Sequence, residues 1–72
     1  MEAVMNNYTN SQISVLINEH IHSDRDRKLL HRRLVDGIRF EPLSEEFQLS
    51  VRQTKNIVRR GKNTLSDYIR ED

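Results

Sequence analysis

The sequence predicts a small all-α domain of about four helices, and three observations carry that expectation. Apolar residues recur at helical spacing in four separate stretches. In front of two of these stretches a serine suited to capping, Ser23 or Ser50, is followed three positions on by an acid or amide, Asp26 or Gln53. Gly37 and Pro42 punctuate the middle of the chain where one helix must stop and the next begin. At 72 residues there is room for one domain. Such a domain buries only roughly 60% of its unfolded surface, so an enclosed substrate pocket is not expected.

Residues 1 to 10, rich in asparagine and without periodicity, are expected as a flexible N-terminal arm, with the domain proper over 11 to 72. Ser11 or Asn10 is positioned to cap a first helix near 11 to 21, whose apolar positions are Ile13, Leu16, Ile17 and Ile21. Three of these four are β-branched, so this helix depends on packing to persist. Ser23 caps a second helix near 24 to 36, with Asp24 and Asp26 in the turn where the helix dipole favours negative charge, and with Leu29, Leu30, Leu34 and Val35 inward. Gly37 ends it. A short third helix near 40 to 47 accommodates Pro42, because an amide hydrogen in the first turn has no intrahelical acceptor to lose. Leu43 and Phe47, four apart, share its inner face. Leu49 plugs the turn that follows.

The fourth helix, near 51 to 60 or on to 68, is the informative one. Ser50 and Gln53 have capping-box spacing, which places the helix start close to residue 51. Thr54, Ile57, Val58, Gly61 and Leu65 form an inward stripe. Gly61 either permits close approach of the second helix or ends the fourth. The expected core is Leu30, Leu34, Leu43, Phe47, Leu49, Ile57 and Leu65. Between residues 50 and 66 there are five basic residues and no acidic one, although the whole chain has a net charge of only +1. All twelve Lys and Arg residues lie at or after position 25. A solvated helix ordinarily mixes its charge signs, so this segregation favours a polyanionic partner over the plain alternative of a soluble basic helix.

A short helix, a tight turn and a capped basic helix form a helix-turn-helix pattern, which reads duplex DNA. Arg52, Gln53 and Asn56 have the two-pronged chemistry that pairs with base edges, although Gln53 is equally placed to be consumed by the cap. Lys55, Arg59, Arg60 and Lys62 have the chemistry of phosphate contacts, which position a protein without specifying sequence. Arg59 or Arg60 could instead pair with Glu45 or Glu46. Arg25, Arg27, Lys28, Arg32 and Arg33 form a second basic set, of which Arg32 and Arg33 are the phosphate candidates, since Asp24 and Asp26 offset its start.

Residues 24 to 69 resemble region four of bacterial RNA polymerase sigma factors. The likeness rests on Asp24 to Leu30 opening one helix, Asp36-Gly37-Ile38 at its end, Phe40 to Phe47 as supporting helix, and Leu49 to Ile57 opening the recognition helix. The resemblance implies major-groove binding, base reading at Val51, Arg52 and Lys55, and contact with RNA polymerase. Where sigma factors commonly carry arginine followed by glutamate, this chain has Val51 and Arg52, so a target other than the usual promoter element is expected. No counterpart of the sigma region that melts DNA is recognisable. The resemblance therefore implies a small bacterial transcriptional regulator or accessory protein, of the kind a mobile element carries.

Other classes find little support in the residues. Cysteine is absent, and His20, His22 and His31 do not share a helix face, so no metal or other cofactor is expected. No nucleophile, phosphate loop or acid-base pair suggests an enzyme. No apolar run approaches the ~20 residues of a membrane helix, and neither an N-terminal leader nor membrane association is indicated; the expected location is the cytoplasm. The expected partner is double-stranded DNA, with RNA polymerase and a homodimer through the first helix as further options. The competing reading is a protein-interaction module that docks on polymerase or another regulator.

Overall fold

The computed structural model describes residues 8 to 68. They form four helices: α1 (Asn10–His20), α2 (Asp24–Leu30, continued by a π-helical stretch His31–Val35), α3 (Phe40–Glu46) and α4 (Val51–Ser66). The all-α expectation agrees with this architecture, and the helix bounds differ from it by a residue or two, except in α2. Residues 1 to 7 of the expected arm lie outside the described residues.

Local chemistry accounts for most helix ends. α1 starts earlier than expected because Thr9, not Ser11 or Asn10, is the cap: its hydroxyl accepts from the Gln12 N–H while Gln12 Oε1 accepts from the Thr9 N–H. Tyr8 and Thr9 thus belong to the folded domain, with Tyr8 packed against the core. Ser23 accepts from the Asp26 N–H as anticipated. Ser50 and Gln53 form a full capping box at the start of α4, at 3.0 and 2.9 Å.

The helix C-termini are less regular. The α2 helix does not run unbroken to residue 36; from His31 it widens to i→i+5 bonding, closed by the Asp36 N–H on the His31 carbonyl at 3.1 Å. Gly37, at φ +74°, then turns the chain through the left-handed region, and the Ile38 N–H reaches back to the Arg32 carbonyl. The α3 helix ends on the same geometry with a different residue. Gln48 has φ +56°, its N–H donates to the Glu45 carbonyl, and the Leu49 N–H donates to the Ser44 carbonyl, which together make a Schellman closure. A side chain in this region carries a steric cost of roughly 1 to 2 kcal/mol that glycine avoids.

The core contains Ile13, Ile17, Ile21, Leu29, Leu30, Leu43, Ile57, Val58 and Leu65. Leu34, Phe47 and Leu49, expected inside, are half-buried and pack against it. The π stretch shifts residues 31 to 35 out of α-helical register, and Leu34 and Val35 come to share the edge of the core. Ile13, Ile17 and Ile21 are spent internally, which leaves Val15 as the exposed large apolar side chain of α1. Gly61 is buried in uninterrupted helix. A Cβ there would stand 2.5 Å from Leu30 Cδ1, so this glycine lets α4 approach α2. Two buried hydroxyls are satisfied within α3 and α4, Ser44 on the Glu41 carbonyl and Thr54 on the Ser50 carbonyl.

Candidate nucleic-acid interface

The site is built on α4, whose orientation follows from its apolar spacing. Thr54, Ile57, Val58, Gly61 and Leu65 face the core. At about 100° per residue, Arg52, Asn56, Arg59 and Asn63 fall within a ~60° arc on the opposite side, and all four are exposed. Gln53 and Arg60 flank this stripe on one side, Lys55 and Lys62 on the other. The helix therefore presents a polar crest with cations on both shoulders.

Individual side chains differ in what they have left to offer. Arg52 and Arg60 are exposed and make no hydrogen bond or ion pair among the described residues. Gln53 serves the cap, its Oε1 accepting from the Ser50 N–H and its backbone N–H donating to Ser50 Oγ, so one lone pair of Oε1 and the side-chain NH2 group are what it has left for a base edge. Arg59 Nη2 donates to Asn56 Oδ1 at 3.3 Å, a long contact between exposed neighbours of the crest. Val51 is half-buried at the start of the helix and lines a shallow depression with Arg52, Lys55, Asn56 and Arg59. Its isopropyl group has apolar contact, with a thymine methyl for example, as its only means of reading a base.

Lys55 extends toward α3, with its Nζ 5.6 Å from the centre of the Phe40 ring. The guanidinium of Arg33 lies over the same ring at 4.1 Å, and its Nη1 donates to the Ile38 carbonyl at 3.1 Å. Arg32 forms a side-on pair with Glu46 at 3.1 to 3.2 Å and also bonds Asp36 at 3.0 Å. The hydrogen bonds to Glu46, then those to Asp36, raise its pKa above the ordinary arginine value. Arg32 and Arg33, candidates for phosphate contacts in the sequence, are thus engaged as clamps between α2 and α3. Glu46 is taken by Arg32, and among the described residues neither Arg59 nor Arg60 pairs with Glu45 or Glu46.

One basic residue at this surface stood out less in the sequence. Arg25 of α2 lines a depression with Gln53, Asn56, Arg59 and Arg60, beside the shoulder that Arg60 forms. No local pattern announces this juxtaposition, because it depends on α2 packing beside α4. Among the described residues no three potential metal ligands cluster, and no helix is long and apolar enough to cross a membrane. Comparison with family models, curated proteins and solved structures gives no significant match.

Proposed function

We propose that this chain is a helix-turn-helix domain that binds double-stranded DNA, with α3 as supporting helix and α4 laid in the major groove. The observation that carries the reading is the face of α4 opposite the core: it is free of acidic side chains, exposed, and contains Arg52 and Arg60, which have no partner among the described residues. A B-form major groove is about 12 Å wide and admits one helix, whose crest meets base edges while its shoulders meet phosphates. On that placement Arg52 pairs with a guanine edge, Asn56 with adenine once it releases Arg59, and Val51 adds apolar contact. Lys55, Arg60 and Lys62 hold phosphates.

The biological role that fits is a small bacterial transcriptional regulator or sigma-like accessory protein, such as a mobile element encodes, acting in the cytoplasm. A single module of this size covers roughly 600 to 1,000 Å² of protein surface, so RNA polymerase or a second copy of the chain would add useful affinity. A dimer through α1 has little apolar surface to work with beyond Val15. Titration of a labelled random duplex at two salt concentrations tests the proposal. Binding that weakens steeply with salt supports it; no binding at low salt overturns it, and salt-independent capture by polymerase would favour the protein-docking alternative.

A further inference from the structure

We infer that Arg25 and Arg60 together seat backbone phosphates of one DNA strand, while Lys55, on the opposite shoulder of α4, serves the other strand. This assignment rests on the duplex-binding reading of α4 and extends it to α2. An α-helix with its side chains is roughly 10 to 12 Å across, close to the width of the major groove, so its two shoulders stand against the two phosphate backbones. Arg60 and Lys55 project to opposite sides of the Arg52–Asn56–Arg59 crest. The shoulders therefore serve different strands.

The Arg60 shoulder is extended by a second helix. Arg25 shares a depression with Asn56, Arg59 and Arg60, and no carboxylate lines it. Among the described residues Arg25 is paired with one carboxylate, Asp26, which accepts from Nε at 3.2 Å and stands 3.2 Å from Nη2. That pairing uses one edge of the guanidinium. Of its five N–H donors, the Nη1 pair remains available, on a side chain that is 53% exposed. Arg25 is thus held by Asp26 with donors to spare, whereas Arg32 and Arg33, later in α2, are turned toward α3, the first bonded to Glu46 and the second laid over the Phe40 ring. A phosphate oxygen in the depression would meet Arg25 and Arg60 from two different helices. Such a contact also fixes the rotation of α4 in the groove, which a single helix leaves poorly defined.

The test combines salt titration with strand-specific neutralisation of phosphates, using a labelled duplex and copies carrying methylphosphonates along one strand or the other. Arg25→Gln, with a native helical circular dichroism signal, is expected to weaken binding to all duplexes and to lower the slope of log affinity against log salt by about one unit. Arg25→Lys retains the slope, and Arg32→Gln leaves it unchanged at temperatures where that variant is folded. The defects of Arg25→Gln and Arg60→Gln should disappear on the same modified strand, and the defect of Lys55→Gln on the other. A folded Arg25→Gln with the parental slope, or Arg25 and Lys55 defects that vanish on one common strand, would overturn the inference while leaving duplex binding in place. If the parent chain bound no duplex at low salt, the underlying reading would fall and the strand assignment with it.

Discussion

The second and fourth helices carry basic sets of equal size, yet the structure uses them in opposite ways. Five cations lie on α4 and five on α2 with its π-helical extension. On α2, Arg25 pairs with Asp26, Arg27 with Asp24 and the Ile21 carbonyl, Arg32 with Glu46 and Asp36, and Arg33 with the Ile38 carbonyl and the Phe40 ring. Only Lys28 is without a partner there among the described residues. On α4 no carboxylate is paired with Arg52, Lys55, Arg59 or Arg60. The difference comes from where the acids are: Asp24, Asp26 and Asp36 lie in or beside α2, and Glu46 reaches it from α3, while residues 51 to 66 contain none. A charge whose donors are used up inside the fold contributes to folding, and one with donors to spare, as on Arg25, Arg52 and Arg60, is available to an outside polyanion.

Both sets stand on one core, and the largest expected effect comes from removing its support. Leu43 is fully buried behind α4, and Leu43→Ala is expected to cost about 2 to 4 kcal/mol by cavity formation. Urea melts would check this; a loss under about 1 kcal/mol would show that α3 is not an integral part of the platform.

Next in size is the crest. Arg52→Ala should reduce discrimination between a selected site and a scrambled duplex by roughly 1 to 3 kcal/mol, if Arg52 makes a two-pronged base contact. Its thermal stability should match the parent, since Arg52 has no partner among the described residues. Unchanged discrimination in a site-selection assay would remove Arg52 from the reading residues.

The comparison itself is tested by Arg33 and Arg60. Arg33→Ala is expected to lower stability by about 1 kcal/mol through loss of the Phe40 contact and the Ile38 carbonyl bond, with no change in salt slope. Arg60→Ala should do the reverse, leaving the melt intact and lowering the slope by about one unit. Parallel melting and anisotropy measurements decide it, and equal effects on both readouts would erase the distinction between the helices.

Two backbone positions give smaller effects of opposite sign. Gly61→Ala gains about 1 kcal/mol of helix propensity but meets Leu30, a fully buried side chain that must shift to admit the methyl group. Overpacking of this kind costs roughly 1 to 3 kcal/mol, so a net loss near 1 kcal/mol is expected, and a stabilised variant would show that α2 and α4 can separate without penalty. Gln48→Gly relieves the left-handed cost at the end of α3 and should raise stability by about 0.5 kcal/mol after the added freedom of the unfolded chain is counted. A lowered melting temperature would indicate that the Gln48 side chain contributes something the turn needs.

Much of this molecule is a local matter and was therefore legible in the residues. The Ser23 and Ser50 caps, Pro42 in a first turn, Gly37 at a helix end and the inward stripe of α4 depend on neighbours within a few positions, where spacing dictates geometry. The acid-free face of α4 was equally visible, because a helix displays its sequence at a fixed angle per residue. Local rules misplaced one cap and were silent on one turn. Thr9 takes the cap expected of Ser11 or Asn10, because it alone has Gln12 three positions on to return the bond. Gln48 occupies a conformation for which sequence reasoning looks to glycine.

What only the tertiary structure decided is the allocation of charge and of apolar surface among distant partners. Arg32 meets Glu46 across the α2–α3 junction, Arg33 covers Phe40, and Arg25 comes to lie beside Arg60, none of which follows from spacing along one helix. Likewise the isoleucines of α1 fill the core instead of remaining for a second copy of the chain. Residue types set which charges exist, but a guanidinium is spent or left available by what lies within ~4 Å of it, and that distance is set by how the helices pack.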